Sequence, residues 1–107
     1  MEKHKISEFK KGWLIGDFEP SIIRNKKFEF GVKFYKREEK DQTHFHKNSE
    51  EITVITSGLF DMNGSKLSPG DIVHVKKNEI ISFSCIDDGS IAVIKTPSVI
   101  GDKFTIN

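Results

Sequence analysis

One cysteine, three prolines, one tryptophan and one tyrosine are all that this 107-residue chain holds of those types. With Cys85 alone no intrachain disulfide can form, so stability has to come from a packed core. An excess of one charge is missing as well. Lys and Arg number 17 against 16 Asp and Glu, a formal net charge of +1, which offers no general attraction to nucleic acid or to an anionic membrane surface. Apolar runs such as Ile91 to Ile94 fall far short of the roughly 18 residues that span a bilayer. The first ten residues, MEKHKISEFK, lack the apolar stretch of a secretory signal, and a cytoplasmic location is the expectation. There is no repeat and no low-complexity segment. Helical periodicity never persists, because apolar positions alternate or cluster in fours.

What the chain does have is nine phenylalanines within a hydrophobic share of 36%, enough buried area per side chain for one compact core. A single domain over residues 1–107 is expected, with the core barrel at about 28–96 and terminal segments at 1–11 and 97–107. From Phe28 onward, short β-branched and aromatic runs are separated by turn dipeptides: Ser57-Gly58, Asn63-Gly64, Pro69-Gly70 and Asp88-Gly89. Each can supply the backbone a reversing strand needs, and Asn63-Gly64 is the strongest hairpin signal. The expected strands are Trp13 to Ile15, Phe28 to Lys36, Thr43 to His46, Glu51 to Thr56, Leu59 to Met62, Asp71 to Val75, Ile80 to Ile86 and Ser90 to Thr96. This is an all-β antiparallel barrel pattern.

The segment richest in chemistry is His44-Phe45-His46, followed by Glu51 and Gly58. A strand sends alternate side chains to one face, so both imidazoles project together while Phe45 goes to the other side. A carboxylate from the next strand would add an anionic oxygen. Two neutral nitrogens and one oxygen suit Fe(II), Mn(II), Ni(II) or Zn(II) and leave coordination positions open, as in catalytic sites.

In these residues the chain resembles the cupin family, whose first motif is Gly, five residues, His-x-His, three or four residues, Glu, six residues and Gly. His44, His46, Glu51 and Gly58 match it in type and spacing, and the spacing selects Glu51 over Glu50. The opening Gly position, a turn element, is held by Glu38. The second motif normally supplies a fourth ligand in a Pro-x-Gly, two residues, His, three residues, Asn arrangement. Aligned from Gly70, those places hold Lys76, Asn78, Ile81 and Cys85, so the fourth ligand is absent. The resemblance implies a cupin-like barrel (jelly roll, or double-stranded β-helix) and a divalent metal held by His44, His46 and Glu51. It also implies a small-molecule ligand or substrate, and homodimers associating through strands at the barrel edge. Two functions follow: a small metal-binding cupin acting on a small polar or sugar-related molecule, or a non-catalytic ligand-binding or accessory cupin with no metal.

Other residues have plainer expectations. His74 lies seven residues before the family's ligand position and is expected to line a pocket or face solvent. Ile81, Phe83 and Cys85 share a strand face and are expected to be core, with Cys85 a small buried hydrophobe and not a nucleophile. Phe60 and Met62 are expected in the core. Lys3, Lys5, Lys10 and Lys11 are expected in a solvated tail. Lys95, Asp102 and Lys103 are expected in a solvated tail too, or in a C-terminal segment wrapped around a partner.

Overall fold

Burial alternates at both ends of the strand from Phe83 to Thr96, which buries Phe83, Cys85, Ile91, Val93 and Lys95 on one face. That strand is the spine of the molecule. The computed structural model describes residues 1–107, in nine strands: β1 (Trp13–Gly16), β2 (Ile23–Arg24), β3 (Glu29–Tyr35), β4 (His44–His46), β5 (Glu50–Met62), β6 (Ser65–Leu67), β7 (Ile72–Val75), β8 (Phe83–Thr96) and β9 (Lys103–Thr105). The large sheet runs β2-β1-β3-β8-β5-β6, with β7 also on β5, and β4 pairs with β9 in a second sheet. All pairings are antiparallel except β1 with β2. The sheets are joined where His44 and Ile81 exchange two backbone hydrogen bonds of 3.1 and 2.9 Å. The all-β barrel expected from the sequence is what the chain forms, and no helix is long and apolar enough to cross a membrane.

Two of the expected reversals are not turns. Ser57-Gly58 and Asp88-Gly89 face each other in the middle of the β5–β8 pair, where the register shifts between Ile55 and Phe60. A side-chain carbon on Gly58, at φ 81°, would meet the Asp88 carbonyl oxygen at 2.5 Å; one on Gly89 would meet the Ser57 oxygen at 2.2 Å. These glycines permit close backbone passage at a bulge, so the four expected strands merge into two long, bent ones. Asn63-Gly64 does form the β5–β6 hairpin, with φ of 53° and 84° as a type I′ turn requires. The motif positions that lost glycine keep its conformation: Glu38 has φ 75° and Asn78 φ 66°.

Inner-face residues change character along the barrel. At one end Phe60 and Phe83 stack at 5.0 Å, Tyr35 meets both edge-on at 5.5 Å, and Ile55, Ile81, Cys85 and Ile91 complete the core. Phe60, Met62, Ile81, Phe83 and Cys85 are therefore core, as expected. At the other end the register sets Glu29 opposite Lys95 and Lys95 opposite Glu51, so the inner face becomes charged and leaves a cavity.

The termini depart from the tail expectation. Asp102 is 3% exposed and Lys95 7%, and β9 pairs Lys103 with His46 and Thr105 with His44. The C-terminal segment packs on the chain's own barrel instead of lying in solvent. Residues 6–12 form two 3-10 turns with exposed side chains, and Lys11 reaches the cavity.

Candidate metal and ligand site

His44 and His46 are 5% and 4% exposed and line one wall of a cavity of about 330 Å³, into which Glu51, Lys33, Lys95 and Trp13 also face. A smaller void of about 30 Å³ continues past His44 and Glu51 to Ile81 and Phe83, where the apolar core begins. All three residues singled out from the sequence thus meet one cavity. Glu50 and His74 do not. They lie on the outer face and bond to each other at 2.8 Å, so His74 is a surface residue.

The His44 ring and the His46 backbone are both held by their surroundings. His44 Nδ1 lies 2.7 Å from the Gln42 carbonyl oxygen. A carbonyl can only accept, so Nδ1 carries the proton and Nε2 is left with a free lone pair. The His46 backbone carbonyl accepts from the Asn78 amide at 2.7 Å, which ties its strand to the loop before β8. Burial lowers the pKa of both rings; for His46, Lys95 and His44 add to it and bring the value to about 4. Both are therefore neutral at pH 7, the form that binds metals. Burial raises the Glu51 pKa, while Lys95 and Lys33 pull it back.

The donor types fit a divalent ion, and the histidine pair has suitable spacing. A ligating imidazole centres about 3.2 Å from the ion, so two at about 90–110° stand about 4.5–5.2 Å apart. The His44 and His46 centroids are 5.1 Å apart. The third ligand is not assembled. No three His, Cys, Asp or Glu side chains gather closely enough to hold an ion, although Glu51 lines the same cavity as the two histidines. Ile81, 3% exposed and paired with His44, stands where the second motif would place its histidine.

Several site residues had no signal in the sequence. Lys95 sits in an apolar run, yet its ammonium lies 3.2 Å from Glu29, with both side chains almost enclosed. Lys33 Nζ lies 4.4 Å from the Trp13 ring centroid, and burial lowers its pKa. Tyr35 donates to Asp41 at 3.2 Å, and burial and that carboxylate both raise the phenol pKa. Asp102 accepts from the backbone amides of Lys47, Asn48 and Ser49 at 2.9–3.2 Å and from the Asn48 side chain at 2.9 Å. Burial pushes its pKa up, but these donors outweigh that and hold it below the usual range. Asp102 thereby fixes the loop joining His46 to Glu51. Only the folded chain brings these partners together.

No family model and no curated relative matches the chain. Solved structures do. A double-stranded β-helix protein from Klebsiella pneumoniae aligns over 96% of this chain and 89% of its own, with TM-score 0.71 and 14% identity. An RmlC-like cupin from Shewanella frigidimarina aligns over 71% of both chains, with TM-score 0.66 and 18% identity. The chain has the fold of a small cupin. The bacterial pirin YhhW from Escherichia coli, solved in complex with nickel(II), matches 82% of this chain and 39% of its own length at 16% identity and TM-score 0.70. At such identities the likeness establishes the fold and leaves chemistry to the site. Along the segment aligned with the second motif, Asn78 has φ 66° and the buried Ile81 pairs with His44.

Proposed function

We propose that this cupin binds a compact polar small molecule in its cavity, with a divalent metal (Fe, Mn, Ni or Zn) held there by His44, His46 and Glu51. The observation that carries the reading is the fixed His44 tautomer beside a second neutral imidazole at 5.1 Å. A cavity of about 330 Å³ lies at the small end of ligand sites, and its lining is mostly polar. A sugar-sized molecule with several hydroxyl or acidic groups suits it. Bound there, the metal would supply Lewis acidity through its open positions. The chain's own groups then orient the ligand: Lys33 and Lys95 offer hydrogen-bond donors, Trp13 an apolar face, and Asp41 an acceptor. Ile81 and Phe83 keep water out of the inner end.

A second reading is a non-catalytic ligand-binding or accessory cupin without metal. Lys95 favours it, because its ammonium lies between Glu29 and Glu51 in the strand register and opposes a second cation there. Elemental analysis of protein purified without chelator, aerobically and anaerobically, separates the two. Stoichiometric metal that disappears in a His44→Ala, His46→Ala double variant supports the first. Metal-free protein from both preparations leaves the second.

A further inference from the structure

Two lysines meet one indole at the cavity wall, and only one of them has a carboxylate partner. Trp13 on β1 stands opposite Gly31 on β3. A side-chain carbon on Gly31 would lie 2.9 Å from a ring carbon of Trp13, so the glycine makes room for the indole on the inner face. Lys33, two residues further along β3 and on the same face, sets its Nζ 4.4 Å from the ring centroid, and Lys95 on β8 sets its own at 5.6 Å. Lys95 is paired with Glu29 at 3.2 Å. Lys33 has no ion pair.

That environment shifts Lys33 toward the free amine. Burial lowers its pKa, and the charges of Lys103 on β9 and Lys95 on β8 add to this, while Asp41 in the loop after β3 and Glu51 on β5 act against it from beyond ion-pair distance. The indole face also favours the ammonium, but less than burial opposes it. A lysine desolvated and set beside a second cation is a nucleophile near neutral pH, and the carbon it attacks is that of a carbonyl group. The remaining charges around the cavity indicate what else such a ligand carries. Asp17 bonds to Arg24, Glu29 to Lys95, Asp41 to Tyr35, and Asp102 to the amides of the loop before β5. Lys11 and Lys103 line the same cavity and have no ion pair. An anionic group on the ligand is the counterpart these two ammonium groups lack.

We infer that Lys33 captures the carbonyl group of a small oxo acid as an imine, which rests on the cavity being a ligand site as proposed above but needs no metal. The amine lone pair forms the C–N bond while the carbonyl π pair moves to oxygen. Both amine protons pass to that oxygen through water, the C–O bond breaks, and one water molecule leaves behind a C=N bond. No oxidant or reductant takes part. Lys95 keeps its charge because Glu29 holds it, so it assists as the neighbouring cation and does not compete as a nucleophile.

Reductive trapping tests this. Chelator-treated wild-type protein is incubated with glyoxylate and cyanoborohydride at neutral pH, and the adducts are located by peptide mass mapping. Lys33 is expected to be carboxymethylated roughly tenfold or more faster than the exposed lysines, since the free-amine fraction sets the rate. Trp13, the single tryptophan, reports occupancy of the cavity through its emission. Glycolate, which has the same charge but no carbonyl to capture, is expected to change that emission, leave no adduct and slow the labelling of Lys33. Lys33→Arg keeps a cation over the indole; it is expected to lose the fast-forming adduct and still respond to glycolate. Labelling of Lys33 no faster than that of Lys3, or a fast adduct that persists in Lys33→Arg, overturns the proposal. If glycolate changes the Trp13 emission in that case, the ligand site stands and only the amine chemistry falls. If neither acid changes it, the reading of the cavity as a site for small acids falls as well.

Discussion

The Lys95 ammonium lies 3.2 Å from the Glu29 carboxylate, with the two side chains 9% and 10% exposed. Removing one partner leaves a charge stranded at the cavity wall. Lys95→Met and Glu29→Gln are each expected to cost about 3 kcal/mol, and the double change Lys95→Met, Glu29→Leu to recover most of it. Urea denaturation of the three variants checks this. If the single changes cost less than the double one, the pair is not acting as a unit.

The same ammonium faces the site of the proposed ion. Lys95→Met is therefore expected to raise affinity for Ni(II) or Zn(II), roughly tenfold for one removed repulsion, while His44→Ala and His46→Ala abolish it. Calorimetric titration of chelator-treated protein provides the comparison. An unchanged affinity in Lys95→Met places the metal elsewhere.

His46 provides a pH signature in metal-free protein. Its folded pKa of about 4 lies below the ordinary 6.5, so between these values the unfolded chain binds a proton that the folded one refuses. Stability is expected to fall as pH drops from 6.5 toward 4, by up to about 3 kcal/mol, and then to level off. His44 acts in the same direction. Glu51, whose pKa is raised by burial, acts in the opposite one and offsets part of the loss. NMR titration of the His46 ring together with denaturation at several pH values tests it; a midpoint near 6.5 removes the premise.

Gly58 and Gly89 should not tolerate side chains. Gly58→Ala and Gly89→Ala are each expected to cost about 3 kcal/mol or more, because a methyl group would fall inside backbone atoms. Gly64→Ala, where nothing lies within 4 Å but φ is 84°, should cost only about 1–2 kcal/mol. Thermal melts of the three should keep that order.

Asp102→Ala removes the acceptor that fixes the loop between His46 and Glu51. A loss of about 2 kcal/mol is expected, with faster amide exchange at Asn48 and Ser49, whereas Asp102→Asn keeps part of the stability. Unchanged exchange at those amides would show that the loop holds itself.

Residues 44 to 58 alone disclosed the strand carrying both histidines, the choice of Glu51 over Glu50, and the barrel to which they belong. Alternation and motif spacing are local, and local patterns survive in a sequence. The two glycine pairs were misleading because a turn and a bulge ask for the same backbone freedom. Which one forms depends on the strand that lies opposite. Lys95, Glu29, Lys33 and Asp102 were silent for the same reason. Each owes its role to a partner far along the chain, and only strand register and barrel closure decide whether an ammonium meets a carboxylate, an indole or water. The sequence determined which donors the cavity could have. Tertiary structure decided that both imidazoles and Glu51 line one cavity beside buried lysines, and that an apolar face is left on the outside.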